Sequence, residues 1–271
     1  MTLHLTLNQQ VAVSILYILA IITGTFRTFY RWYISRFWWE DVWATFALLL
    51  DIICFANVWI PQPRDVSAPD ALLDGAVASH WMEAIALTSG LWAARMSMIS
   101  AIIRITSHRV RFRHSAYATA VAFGIMWIAL LIQKLYICAA RSCLMNQHVA
   151  TSQLVTDVIS DVLLMALPLL FLRGVNIEHN QRVLLVSSFA SSICITIISI
   201  VHSIFLFLPS CTATSIILAH VKTALALIIC NLLVIVTFAY RLCRRNDLDL
   251  HNMPTKSDGA QFTSVFIGNG D

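Results

Sequence analysis

The chain carries little charge for its length: of 271 residues only 12% are Asp, Glu, Lys or Arg, while 59% are hydrophobic. A soluble domain of this size has about 25% charged and about 45–50% apolar residues. One packed core does not absorb such an excess, so the chain needs an apolar solvent, and lipid supplies it. Glycine is scarce as well, with eight in all. No glycine-rich phosphate loop, Gly-x-Ser-x-Gly or His-Glu-x-x-His occurs, so no catalytic role and no cofactor are expected. The seven cysteines form no Cys-x-x-Cys and no Cys/His cluster with zinc spacing, so no metal centre is expected either. Basic residues come in short clusters without aromatic interleaving, which argues against nucleic acid as a partner. Met1–Gln10 has no basic residue and no small-residue cleavage pattern, so the first apolar run is expected to serve as an uncleaved insertion signal.

What is present is a series of long apolar runs. Seven are long enough to cross a bilayer: Gln10–Phe29, Asp41–Ile60, His80–Ile105, Ser115–Ile137, Ser152–Leu172, Arg182–Leu208 and Thr214–Arg241. The expected fold is all-α, a polytopic membrane bundle of seven transmembrane helices. Residues 1–245 form the bundle, and 246–271 form a polar, disordered tail. The connector Pro61–Ser79, with Pro61, Pro63 and Pro69, reads as irregular. Pro168 is expected to kink the fifth helix.

Basic residues alternate between the two ends of these runs. Arg27, Arg31, Arg36, Arg104, Arg109, Arg111, Arg113, Arg173, Arg182, Arg241, Arg244, Arg245 and Lys256 fall on one side, against Arg64, Lys134 and Arg141 on the other. The positive-inside rule then places the N-terminus outside and the C-terminus in the cytoplasm. Trp32, Trp38, Trp39, Trp43, Trp59, Trp81 and Tyr240 lie near helix ends, as an interfacial belt requires. The basic third connection, with Arg104, Arg109, Arg111 and Arg113, is either a topology signal alone or a surface for anionic lipid or a cytoplasmic signalling partner.

Ionisable groups inside spans need a reason to be there. Asp51, Arg95, Asp157, Asp161 and Lys222 are such groups, with Glu83 nearer an interface. A rise of about 1.5 Å per residue puts Asp51, Asp157, Asp161 and Lys222 at one level in the outer half of the bundle, with Arg95 deeper. Asp157 and Asp161 are four apart and share a face, which Gln153 extends. Two carboxylates in a low dielectric do not both stay charged without a cation, and Arg95 or Lys222 is positioned to supply one. The layer reads either as a ligand site or proton relay, or as polar glue between helices. Lys222 in the seventh helix invites comparison with a retinal Schiff base. The position one turn earlier is Leu218 rather than an acid, so a pairing of Lys222 with Asp51 or Asp161 is expected instead. Ser188, Ser192, Thr196, Ser199 and Ser203 make a polar stripe on the sixth helix, beside His202. Cys138 and Cys143 flank the fourth connection, where a disulfide is expected.

Several stretches carry a resemblance. They are Arg27-Thr-Phe-Tyr-Arg31 with Trp39-Glu-Asp-Val-Trp-Ala44, Leu91-Trp-Ala-Ala-Arg-Met-Ser97 through Ile103-Arg-Ile105, Ser160-Asp-Val-Leu-Leu-Met-Ala-Leu-Pro168, Gln181-Arg-Val-Leu-Leu185, and Asn231-Leu-Leu-Val-Ile-Val-Thr237. Together they resemble the fungal rhodopsin-like domain family of seven-helix membrane proteins, over roughly Val11 to Arg245. The resemblance implies a seven-helix bundle and a receptor-like role, and it implies no known ligand. A multi-pass location in the plasma membrane is expected, with membrane lipid and a small-molecule ligand as expected partners. The family's last helix often carries an acid where Lys222 stands. The Asp-Arg-Tyr and Asn-Pro-x-x-Tyr signatures of animal G-protein-coupled receptors are missing. A small-solute or proton transporter or channel is the rival reading.

Overall fold

A computed structural model describes residues 6–35, 37–60, 70–105, 110–141, 147–173, 190, 193–202, 204–205 and 212–251. They form seven helices: α1 (Leu7–Tyr33), α2 (Trp39–Val58), α3 (Asp70–Ile105), α4 (Val110–Arg141), α5 (Gln147–Arg173), α6 (Ile193–His202) and α7 (Thr212–His251). Six of these are long and apolar enough to cross a membrane; α6 is the shorter part of the expected Arg182–Leu208 run that lies within the described residues. The chain is therefore a polytopic helical bundle.

Local chemistry sets the helix ends. The Thr6 backbone N–H donates to Gln9 Oε1 at 2.9 Å, closing the start of α1. Ser35 takes a left-handed φ of 54° in the tight turn to α2. At the start of α2 the Asp41 carboxylate accepts the Trp38 N–H at 3.2 Å, and Glu40 and Asp41 sit where the helix dipole favours acids.

Two ends differ from expectation. Helix α3 begins at Asp70, so half of the connector expected to be irregular is helical. Proline stops at Pro69, and the Ala- and Leu-rich stretch after it favours helix. Helix α7 runs on to His251, beyond the expected Arg241 and into the first residues of the expected tail. No Gly or Pro interrupts the chain there before Pro254. Residues 252–271 lie outside the described residues. Helix α5 continues through Pro168.

Helix α3 is the axis of the bundle, with 72% of its spanning segment buried against 22% for α4. It packs on α2, α4 and α7, while α1 packs on α2 and α7. Two apolar clusters fill the interior. One groups Val13, Tyr17, Ala20, Ala47, Leu48, Ala86, Ala93 and Ala224 among α1, α2, α3 and α7. Its small residues let the backbones approach closely. The other groups Trp92, Ile99, Phe123, Leu130, Leu164 and Ile195 among α3, α4, α5 and α6.

The outer surface reverses the pattern of a soluble protein. Ile15, Ile18, Leu19, Ile22, Phe26 and Phe29 on α1, and Val121, Ile125, Ile128 and Ile132 on α4, point outward at spacings of three and four. Polar and charged side chains turn inward instead, as lipid demands.

Helix α1 meets α2 and α7 tightly at Gly24, where a Cβ would lie 3.0 Å from Leu48 Cδ1 and 3.2 Å from Asn231 Nδ2. Gly24→Leu should overpack this junction and destabilise the bundle by about 1–3 kcal/mol. A fall in the thermal midpoint of the detergent-solubilised protein checks this; an unchanged midpoint would mean the helices do not meet there.

Candidate functional site

Four of the charges expected in the outer half meet where α3, α5 and α7 face each other. A helical side chain leans toward the N-terminus of its own helix. Arg95 therefore reaches back along α3 from its deeper Cα to the level of the acids on α5. Its fork spans both: Nη1 donates to Asp157 Oδ1 at 2.7 Å and Nη2 to Asp161 Oδ1 at 2.9 Å. The four-residue spacing on α5 sets the acids one turn apart, which suits one guanidinium bridging two carboxylates. The Lys222 ammonium donates to the other Asp157 oxygen, Oδ2. Thr196 Oγ1 on α6 donates to Asp161 Oδ2 at 3.2 Å. Arg95 also stacks over Trp92, 5.1 Å from the ring centre.

All four charged residues are buried. Two cations and two anions make the group neutral overall, which is the condition for keeping it in a low dielectric. Of the expected layer, Arg95, Asp157, Asp161 and Lys222 are thus brought together. The expected partner of Lys222 needs correction: its bond goes to Asp157, not to Asp51 or Asp161. Asp51 stands apart. Its Oδ1 faces Gly90, and neither of its oxygens has a hydrogen-bond partner among the described residues. The reason lies in α7, where one residue turns the helix by about 100°. Thr223 points at Gly90 on the Asp51 side, whereas its neighbour Lys222 points toward α5.

Sequence reasoning missed Lys134 at this layer by treating it as a helix-end residue. It is buried, and its Nζ donates to Thr88 Oγ1 at 2.5 Å. The polar stripe of α6 faces inward in part: Ser199 and His202 are buried, and His202 lies within electrostatic reach of Lys222 and Asp157. Ser188, Ser192 and Ser203 lie outside the described residues. Among the described residues no group of three His, Cys, Asp or Glu is arranged to hold a metal ion.

A second charged centre sits at the opposite end of the bundle, where the sequence showed only a basic cluster. Arg27 of α1 is buried. Its Nε and Nη2 donate to Asp41 Oδ1 at 3.2 and 3.1 Å, Nη1 to the Cys230 carbonyl at 3.1 Å, and Nη2 to Ser97 Oγ at 3.3 Å. One side chain thereby joins α1, α2, α3 and α7. Glu40 Oε1 accepts from Arg31 at 2.8 Å and from Arg104 at 2.6 Å. Arg104 also lies over Trp38, 5.2 Å from the ring centre. The signal was the pairing of Arg27 and Arg31 with Glu40-Asp41, fourteen or fewer residues apart. Arg104, expected in a free basic loop, is instead paired at the end of α3. Arg113 is exposed, Arg109 lies outside the described residues, and so does the side chain of Arg111. The expected Cys138–Cys143 bridge lies outside the described residues too; Cys54, Cys194 and Cys230 are free thiols.

Asp157→Ala should destabilise the bundle by about 3–5 kcal/mol, since it leaves Lys222 and half of Arg95 buried without an anion. Asp161→Ala should cost less, about 1–3 kcal/mol, because Arg95 keeps Asp157. Thermal unfolding of both variants in nanodiscs measures the difference, and equal losses would contradict the pairing.

No curated protein and no solved structure matches the chain. The family model described as the fungal rhodopsin domain matches residues 26–241, well over half of the chain. That stretch takes in both charged centres, from Arg27 through Lys222 and Cys230, and the chain belongs to the fungal rhodopsin domain family.

Proposed function

We propose that the protein is a non-catalytic, receptor-like component of the plasma membrane, with its N-terminus outside and its C-terminus in the cytoplasm. In this reading a small polar ligand enters from outside and exchanges for one partner in the Arg95–Asp157–Asp161–Lys222 group. The observation that carries the reading is the complete burial of that neutral group between α3, α5 and α7. A buried pair breaks at high cost when one member is lost, yet a ligand carboxylate or ammonium replaces that member without leaving a charge bare. Binding energy is then available to shift the helices against each other.

The second centre gives such a shift somewhere to go. Helix α3 carries both Arg95 and Ser97, and α7 carries both Lys222 and Cys230. Along α7 the two points are about 12 Å apart. Displacing α3 or α7 at the outer group disturbs the Arg27 junction that ties both helices to α1 and α2. Most basic residues outside the two buried groups lie at that same end, which supports its cytoplasmic placement.

Two measurements test this. Proteoliposomes with a trapped pH-sensitive dye should show no proton flux beyond protein-free vesicles. Flux that disappears in Asp161→Asn would replace the receptor reading with transport. For orientation, a glycosylation acceptor engineered near Arg111 should stay unmodified in microsomes, and one placed before Leu7 should be modified; the reverse pattern overturns the assigned sides.

A further inference from the structure

Asp51 plays no part in either charged centre. It is 1% exposed, and both carboxylate oxygens lack a hydrogen-bond donor among the described residues. A bare carboxylate in such a place is far too costly to persist, so something must neutralise it. A metal cation is a poor fit, because oxygen ligands are wanting. Thr223 presents its methyl Cγ2 toward Gly90, while its Oγ1 donates to its own helix at Ala219 O, 3.0 Å away. Gly90 itself offers no side chain, and the nearby Leu50 is apolar. Lys222 of α7 is committed to Asp157 on another face. That leaves the proton.

A polar chain leads from this neighbourhood toward the N-terminal end of the bundle. Tyr17 of α1 and Cys54 of α2 both lie within electrostatic range of Asp51. The Tyr17 hydroxyl meets His220 Nδ1 at 2.8 Å, and His220 Nε2 meets Glu83 Oε1 at 2.7 Å. The Glu83 side chain is 18% exposed, against 1% for His220. It stands near the start of the α3 span, which begins at Trp81. These bonds share one polarity when Glu83 is ionised: Tyr17 donates to Nδ1 and Nε2–H donates to the carboxylate. Of these titratable groups, Tyr17 on α1 and Cys54 on α2 lie in electrostatic reach of Asp51, while His220 on α7 and Glu83 on α3 join the chain beyond Tyr17.

We infer that Asp51 is a proton-binding site, separate from the Arg95 group, that exchanges its proton with the aqueous phase through Tyr17, His220 and Glu83. Outward transfer begins as the Asp51 carboxyl rotates and gives its proton to the Tyr17 oxygen. The Tyr17 proton passes to His220 Nδ1, and the Nε2 proton passes to Glu83 and then to water. Only O–H and N–H bonds form and break. Asp51 is left ionised, and His220 is left as its other tautomer until the reverse sequence resets both. Ionised Asp51 puts an unpaired charge where α2 meets α3 and α7, so the proton controls the packing of those helices.

The test is infrared spectroscopy of the full chain in nanodiscs. At neutral pH the wild type should show the C=O stretch of a protonated carboxylic acid that is missing in Asp51→Asn; a difference spectrum with carboxylate bands instead overturns the proposal. Failure of Asp51→Asn to fold overturns it equally, since Asn closely mimics the protonated acid in shape and charge. Tyr17→Phe should leave the band in place but slow its shift in deuterated buffer by about 10²-fold, the lower end of what a positioned proton-transfer group contributes. An unchanged exchange rate would remove the pathway.

Discussion

One guanidinium fixes the half of the bundle opposite the Arg27 centre. Arg95 projects from the most enclosed helix into a region with no solvent to screen it, so it has to meet anions of matching geometry. Asp157 and Asp161, one turn apart, provide them on α5, and Lys222 balances the remaining charge from α7. In lipid the hydrophobic effect gives helices little reason to choose one neighbour over another. Directional charge pairs supply that choice: α3 must turn one face to α5, and α7 must turn Lys222 the same way. The small residues of the α1–α2–α3–α7 cluster then set how closely the helices approach, not which faces meet.

The same constraint repeats at the other end with different partners. Arg27 distributes its donors over a carboxylate, a hydroxyl and a backbone carbonyl, so it satisfies three neighbouring helices with one side chain. Glu40 sits between two arginines and closes the short turn from α1 to α2 against the end of α3. Both ends are therefore cross-linked through α3 and α7, while α4 contributes mostly lipid-facing surface.

Much of this is legible in the sequence. Apolar runs of bilayer length give the helices, since lipid leaves few other backbone solutions, and the inward charges are conspicuous because their surroundings are apolar. The spacing of Asp157 and Asp161 showed a shared face and a need for a cation. Less legible were the partners. Residue rise places Lys222 and Asp51 at one depth, but depth is one coordinate; the rotation of α7, which separates Lys222 from Thr223, depends on packing that sequence does not encode locally. Arg104 and Lys134 show the same limit. Each lies near a helix end, where a basic residue reads as solvated, yet Glu40 and Thr88 on neighbouring helices draw them into the bundle.

Asp51 and Asp157 make the physical contrast sharpest. The helical rise puts them at similar depths and both are buried, but one has a cation on each oxygen and the other has none among the described residues. An ion-paired acid resists titration because protonation forfeits its partners, whereas an unpaired buried acid is stable only while protonated. The first is suited to holding helices in register and to exchanging one charged partner for another. The second is suited to responding to proton activity, and the Tyr17–His220–Glu83 chain gives it a route to water that Asp157, enclosed by Arg95 and Lys222, lacks among the described residues. Two acids of one kind thus have opposite surroundings within one bundle, and what divides them is the turn of a single residue along α7.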